Sequence, residues 1–435
     1  MVNNLRHEYI IIFQFRVANV KKIGKKLDYG YEKKIRDINM PMRIYFLILA
    51  LTALSYSLSS DIFANYFKDA YNITAIQRGL IEFPREFPGV VLIFVVVALS
   101  FLSDIKKSII AQLLSITGIA VMGLIKPSFY VMLVFIFINS LGMHIFLPIQ
   151  DSIGLSLARE DNIGTSIGRF KGIYTAFTMI GAIIVFFGFR QSVFSFTSKV
   201  NWTFVIAALI LIVVTVLLAI LHRITHKVIT KGSQRVRFVF RKEYKYYYVL
   251  VILFGVQKQM MLVFGPWVLI EILGKKADTM ALLGIAGSLL GVFFIPTVGR
   301  LLDKLGIKKI LYLDALSYIG VYVLYGLMCA GFVSGYLAIT GIPLTLAYIL
   351  VIVDKMSTQM GIVRTVYLKT IAVENTDITP TLSLGVSMDH AVSIICAFFG
   401  GMVWSYIGPQ YVFFGAAALS LINLFVAKKV KCNNV

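Results

Sequence analysis

Charged residues are scarce in this chain of 435 residues: 14% are Asp, Glu, Lys or Arg, whereas 58% are hydrophobic. The mean hydropathy is +0.84. A soluble chain of this length would form two or three domains, with about 25% of its residues charged. The composition therefore excludes a soluble protein and indicates one whose helices cross a lipid bilayer.

Neither the cysteines nor any common catalytic motif indicates a functional site in this sequence. The three cysteines, Cys329, Cys396 and Cys432, lack the spacing of a disulfide framework or of a metal site. We find no Walker-type phosphate loop, no metal-ligand set and no nucleophile motif in the sequence. We therefore expect no cofactor, no metal and no enzymatic activity, and ATP-driven transport by this chain alone is disfavoured.

Acidic residues are half as frequent as basic ones, 21 against 42, which gives a net charge of +21. The cations cluster between apolar segments, which favours a membrane surface over a nucleic acid as their partner. Among the loops on the opposite side, 126–128, 331–335 and 405–408, the only charged residue is Lys126. By the positive-inside rule we expect a multi-pass protein of the cell membrane with both termini in the cytoplasm.

Apolar stretches long enough to cross a bilayer, about 20 residues each, recur along the chain. They divide it into a basic leader (1–42), an N-terminal six-helix bundle (43–221), a basic linker (222–246), a C-terminal six-helix bundle (247–427) and a tail (428–435). The sequence thus predicts an all-α integral membrane protein with twelve spans, at 43–64, 80–102, 108–125, 129–150, 168–189, 201–221, 247–270, 279–299, 309–330, 336–353, 382–404 and 409–427.

A loop motif occurs twice, about 200 residues apart. After the eighth span, the pattern is Gly299, three residues, Asp303, two residues, Gly306, one residue, then Lys308 and Lys309. After the second span Asp104 precedes two lysines, with Ser100 in place of the first glycine. This motif resembles the loop signature of the major facilitator superfamily. The resemblance implies two pseudo-symmetric six-helix bundles around a central substrate site, with Asp303 as a latch; the alternative is a tight turn with interfacial anchors.

The second span opens with two glutamates. Glu82 and Glu86 are four residues apart, hence on one helix face, where like charges repel and burial disfavours ionisation. One of them is therefore a candidate proton acceptor. Arg85 offers the alternative, a structural ion pair with Glu82.

Other polar residues within the predicted spans are candidates for substrate binding or ion coupling. Lys258 lies about 18 Å from either interface, so we expect a carboxylate within about 6 Å or a polar cavity. In the first span, Asp61 and Asn65 are four residues apart and so share a face, and the alternative is that Asp61 pairs with Arg78 or Arg85 outside a cavity. The remaining candidates are the adjacent pair Asp389 and His390, which point to different faces, and His144, for which a helix–helix hydrogen bond is the structural alternative.

Several polar or charged residues lie near the ends of predicted spans on the basic side and are interpreted as gate pairs or interfacial anchors: Gln150, Asp151, Arg169, Lys171, Asp354, Lys355 and Arg364.

These observations favour a secondary active transporter of a small molecule that works as a monomer by alternating access. The driving ion is a proton or another cation, and the titratable residues favour a proton. The alternatives are a lipid scramblase, a non-transporting membrane sensor on the same fold, and an intramembrane enzyme.

Overall fold

The computed structural model describes residues 40–99, 101–157, 163–225, 240–374 and 377–430. Most of the predicted leader, the centre of the linker, the end of the tail and Ser100 lie outside the described residues. The described chain is helical, without a strand.

The N-terminal half contains six helices. Breaks between them fall at polar or glycine- and proline-containing loops, since a helix in lipid must satisfy all its backbone hydrogen bonds internally. The first helix contains a 3₁₀ turn at Ser60–Ile62. The helices are α1 (Met40–Tyr71), α2 (Ala75–Ala98), α3 (Asp104–Leu124), α4 (Phe129–Leu157), α5 (Ile163–Arg190) and α6 (Trp202–Thr225).

The C-terminal half begins with α7 (Lys245–Trp267), which ends in a π-helical turn at Val268–Ile272. The next helical stretch, Ala277–Val333, is interrupted at Gly306, where φ is 79° and ψ is 162°. Because glycine has no Cβ, it adopts this conformation without strain, and it divides the stretch into α8 (277–305) and α9 (307–333). The remaining helices are α10 (Gly341–Ile371), which has a turn at Met360 and Gly361, α11 (Ile378–Tyr406) and α12 (Pro409–Lys429).

The twelve helices follow the twelve predicted spans. Ten helical stretches of the described residues are long and apolar enough to cross a membrane. The stretch that holds α8 and α9 is one of them, and α2 is not among them. Burial explains how α2 is accommodated, because its Arg78, Glu82 and Glu86 lie inside the protein rather than against lipid.

The two halves meet along two helix pairs, α2 with α11 and α5 with α8. We call the end of the molecule where α6 ends and α7 begins the linker face, and the opposite end the far face. At the far face α2 and α11 approach closely: a Cβ on Gly79 would lie 2.2 Å from the Ala397 oxygen, and one on Gly401 2.6 Å from the Ala75 oxygen. Only glycine fits at these two positions.

Polar contacts also join the halves at the far face. Lys68 of α1 forms an ion pair with Glu271 at the end of α7, and Asp278 of α8 lies 3.7 Å from Arg190 of α5. Ala277 is fully buried in the hydrophobic cluster of the N-terminal half. The structure is therefore closed at its far face.

Candidate functional site

Two cavities lie between the halves. The larger, of about 900 Å³, is lined by α5, α7, α8 and α10, and the smaller, of about 330 Å³, also by α1 and α2. They adjoin one another, because six residues belong to the walls of both: Leu262, Pro266, Gly284, Ser288, Val351 and Lys355. Small-molecule sites of transporters lie at such interfaces between repeats.

Opposite charges line the smaller cavity from opposite halves. Asp61 belongs to α1 and Lys355 to α10, and both are accessible from the cavity. Lys355 was interpreted as an anchor or gate residue because the tenth span was ended at 353. The helix that carries it continues to Gln359, so Lys355 lies near a helix end and also lines both cavities. A role as a gate residue stays a prediction.

Asn65 does not share the environment of Asp61. Its side chain is buried, and its Nδ2 donates a hydrogen bond to the Lys275 oxygen at 3.4 Å. The predicted common face required a regular α-helix from residue 61 to residue 65. The 3₁₀ turn at Ser60–Ile62 changes the rotation per residue, so Asp61 faces the cavity while Asn65 joins the far-face contacts.

Glu82 is held by cations rather than left to repel Glu86. Its Oε1 lies 2.5 Å from Nη1 of Arg78 and 2.6 Å from Nη1 of Arg85, and its Oε2 accepts a hydrogen bond of 3.0 Å from Gln259 of α7. The carboxylate is fully buried. Glu82 thus forms the structural ion pair that was the alternative interpretation, and it also joins the two halves.

Glu86, one turn further along α2, contacts α11 instead. Its Oε2 lies 2.6 Å from Nδ1 of His390. The rings of His390 and His144 are 4.9 Å apart at an angle of 70°, and His144 Nδ1 lies 2.8 Å from the Ser140 oxygen. A ligand atom from each of Glu86, His144 and His390 lies within 4.8 Å of the other two, so these side chains could hold a metal ion.

Lys258 forms an ion pair with Asp389 of α11 and lines the larger cavity. Both features were expected of a lysine in mid-membrane, and both are present. Gly255 makes the pair possible, since a Cβ there would lie 2.7 Å from Asp389 Oδ1. Asp389 and His390 turn to different partners, Lys258 and Glu86, as expected for neighbours on a helix.

The two loop motifs differ in their contacts. Asp104, in the first turn of α3, lies 3.1 Å from Lys107 Nζ and accepts a hydrogen bond of 2.8 Å from Ser152 of α4. Asp303 is exposed, and the ion pairs of the described residues do not include it. Lys308 donates a hydrogen bond of 3.2 Å to the Lys428 oxygen, while Gly299 and Lys309 line neither cavity.

Among the polar residues at these sites, Arg78 and Gln259 were not candidates, and Lys355 was considered only as a gate or anchor residue. The spacing of Arg78 from Glu82, four residues on one helix, was a usable signal. Gln259 reaches Glu82, and Lys355 faces the same cavity as Asp61, only through the packing of different helices.

Comparisons with known proteins agree with this architecture. The sequence profile of the Major Facilitator Superfamily matches residues 45–369. No curated protein sequence matches the chain. Among solved structures, the nucleoside transporter NupG is 13% identical, with a TM-score of 0.71 over 90% of this chain and 99% of its own.

Two further structures are similar. A D-xylose-proton symporter is 14% identical, with a TM-score of 0.64 over 90% of this chain and 98% of its own. A bacterial homologue of the iron transporter ferroportin, in an inward-facing state, is 12% identical. Its TM-score is 0.67, over 89% of this chain and 98% of its own. At these identities the likeness shows the fold alone.

Proposed function

The chain belongs to the Major Facilitator Superfamily, and on that premise we propose that it is a secondary active transporter of a small polar molecule, driven by a gradient of protons or another cation across the cell membrane. The single observation that carries the proposal is the pair of adjoining cavities between the halves, lined by Asp61, Lys258 and Lys355. A substrate with polar groups would contact both halves there.

The same geometry supports the proposal of alternating access. The far face is closed by α2 against α11 and by ion pairs between the halves, whereas the substrate groups lie between the halves toward their middle. We propose that the linker face is cytoplasmic and that this conformation is open or opening toward it. Rocking of the halves around the cavity would then expose the same charges to the other side of the membrane.

Asp61 is the residue we assign to cation coupling. It is a carboxylate on the cavity wall, so it can exchange a proton or another cation with water that enters the cavity. Lys355 faces the same space from the other half. Loading of Asp61 would change the attraction between α1 and α10, and so couple the ion to the relative position of the halves.

The test is a panel of small molecules applied to the purified protein in a thermal-shift assay, followed by gradient-driven uptake into proteoliposomes. A ligand at 100 times its Kd should stabilise the folded protein by about 2.7 kcal/mol. Asp61→Asn should abolish gradient-driven accumulation. Asp69→Asn, an exposed carboxylate two turns along the same helix, is the matched control and should transport normally.

A scramblase or a sensor on the same fold would give other results. Substrate-independent flipping of fluorescent lipids, without any uptake that depends on a gradient, would replace the transporter by the scramblase. Ligand stabilisation without any flux would favour the sensor.

A further inference from the structure

Glu86, His144 and His390 are brought together from three helices, α2, α4 and α11, with ligand atoms within 4.8 Å of one another. We propose that these three side chains, which we call the interface triad, bind one divalent transition-metal ion of the zinc type. Because α2 and α4 belong to one half and α11 to the other, the bound ion would hold the halves together and keep the far face closed.

The donor set has the right chemistry. Two imidazoles and one carboxylate are a common set for zinc and for related divalent ions, with a further position open to water. Around a tetrahedral ion with bonds of about 2.1 Å, ligand atoms lie about 3.4 Å apart. Side-chain movements of about 1 Å therefore close the interface triad around an ion, without displacement of the helices.

The surroundings orient the ligands. His144 Nδ1 lies 2.8 Å from the backbone carbonyl oxygen of Ser140. The other ring nitrogen, Nε2, is therefore the atom available to an ion. A metal-binding histidine typically donates its other ring N–H to a carbonyl in this way. Gly89 leaves room for the His390 ring, since a Cβ there would lie 2.5 Å from Cδ2.

Nearby positive charges do not prevent metal binding. Arg85 lies 2.6 Å from Glu82, and Lys258 is paired with Asp389. Each of these cations is thus paired with a carboxylate other than Glu86, although Arg85 shares Glu82 with Arg78. Glu86 contacts only His390 through an ion pair among the described residues, and a metal ion would take the place of the proton shared between them.

The ion would act on the contact that alternating access must break. The interface triad lies along the α2–α11 pair, which is closely packed at the far face through Gly79 and Gly401. A metal bridge between Glu86 and His390 opposes separation of these two helices. This inference goes beyond the proposed function, because metal binding needs neither a substrate nor transport.

Binding is tested by titration of the purified full-length protein, free of any polyhistidine tag, with Co²⁺, whose visible absorption reports its coordination. We expect one saturable equivalent, displaced by Zn²⁺ but not by Mg²⁺. His144→Asn, His390→Asn and Glu86→Gln should each weaken binding by more than about 100-fold, beyond the range for residues that only orient a ligand.

His222→Asn, at the linker end of α6, is the matched control and should bind Co²⁺ as the parent does. Metal-free melting curves check that the variants are folded, and Glu86→Gln preserves side-chain size if a histidine variant fails to fold. Absence of saturable binding, or equal binding in the parent and Glu86→Gln, would overturn the site.

The effect on conformation is tested with Ala277→Cys in a cysteine-free background. Ala277 is fully buried at the far face, so a thiol reagent can label it only when that face opens. Zn²⁺ should slow labelling several-fold, and the slowing should vanish when His390→Asn is added. Equal labelling with and without Zn²⁺ in a protein that binds Co²⁺ would overturn the bridging role.

Discussion

At the scale of single residues, the charges inside the membrane are organised as pairs and small networks. An ionised side chain at mid-membrane costs several kcal/mol unless it is paired or hydrated. Lys258 has Asp389, Glu86 has His390, and Glu82 has Arg78 and Arg85. Most of these pairs lie near the cavity between the halves, where changes in pairing can accompany transport.

The Lys258–Asp389 pair provides a prediction. Lys258→Met removes one partner and leaves Asp389 with an uncompensated charge, so we expect a loss of stability of up to about 3 kcal/mol and loss of coupled transport. Lys258→Met combined with Asp389→Asn should recover the stability but not the transport. Melting temperature and proteoliposome uptake measure the two effects separately.

Lys258→Arg distinguishes two roles of the same residue. Arginine keeps the charge but does not deprotonate at accessible pH, so retained transport would indicate electrostatic binding and its loss would indicate titration. Lys276→Met, at an exposed lysine of the far-face loop, is the control. Full activity of Lys258→Met would make this lysine a structural residue.

At the scale of helices and loops, the two copies of the loop motif have diverged. Asp104 stabilises the junction of α3 and α4 through Lys107 and Ser152, whereas Asp303 is exposed before the turn at Gly306. An aspartate without a partner in one conformation is available to bind a helix N-terminus or a cation in the other.

We therefore predict different effects for two matched substitutions. Asp303→Asn should slow transport while leaving the melting temperature unchanged. Asp104→Asn should lower the free energy of unfolding by about 1 kcal/mol, the value of a typical hydrogen bond. Uptake rates and melting curves of both variants measure the two effects. A normal uptake rate in Asp303→Asn would show that its loop acts only as a membrane anchor.

At the scale of the whole molecule, the closed far face depends on contacts between the halves. Lys68 and Glu271 form one of these contacts, with side chains 25% and 35% exposed. Pairs this accessible to solvent contribute about 1 kcal/mol or less, which is about fivefold in a conformational equilibrium.

Charge reversal tests this contact. Glu271→Lys should favour the conformation that is open at the far face, with labelling of Ala277→Cys increased up to about fivefold. The double variant Lys68→Glu with Glu271→Lys restores the opposite charges and should return labelling to the original rate. If the double variant labels as fast as Glu271→Lys alone, the ion pair does not control the opening.

The orientation of the molecule is a separate prediction. The linker is rich in lysine and arginine, whereas Lys126 is the only charged residue in the opposite loops 126–128, 331–335 and 405–408, so we expect the linker in the cytoplasm. Thr230→Cys and Ser128→Cys, each as a single cysteine, should react with an impermeant reagent from opposite sides of the membrane. Labelling of both from the same side would contradict the arrangement of twelve spans.

The number of spans and their approximate positions follow from local properties of the sequence, and so does the prediction of orientation. The length of an apolar run determines which segments can cross a bilayer. The clusters of basic residues between these segments predict which loops are cytoplasmic. The turn between α8 and α9 is also local, because Gly306 takes a conformation that other residues adopt only with strain. Residues such as Lys258 could be identified because an ionisable group in an apolar stretch is conspicuous.

The partners of those residues depended on tertiary structure. Glu86 and His390 are separated by 304 positions in the chain, and their contact results from the rotation of α2 and α11 and from the space left by Gly89. Lys355 of α10 faces the same cavity as Asp61 of α1 because of the way these two helices pack. Helix rotation, crossing and length are set by packing among many side chains at once, so no single segment of the sequence contains them.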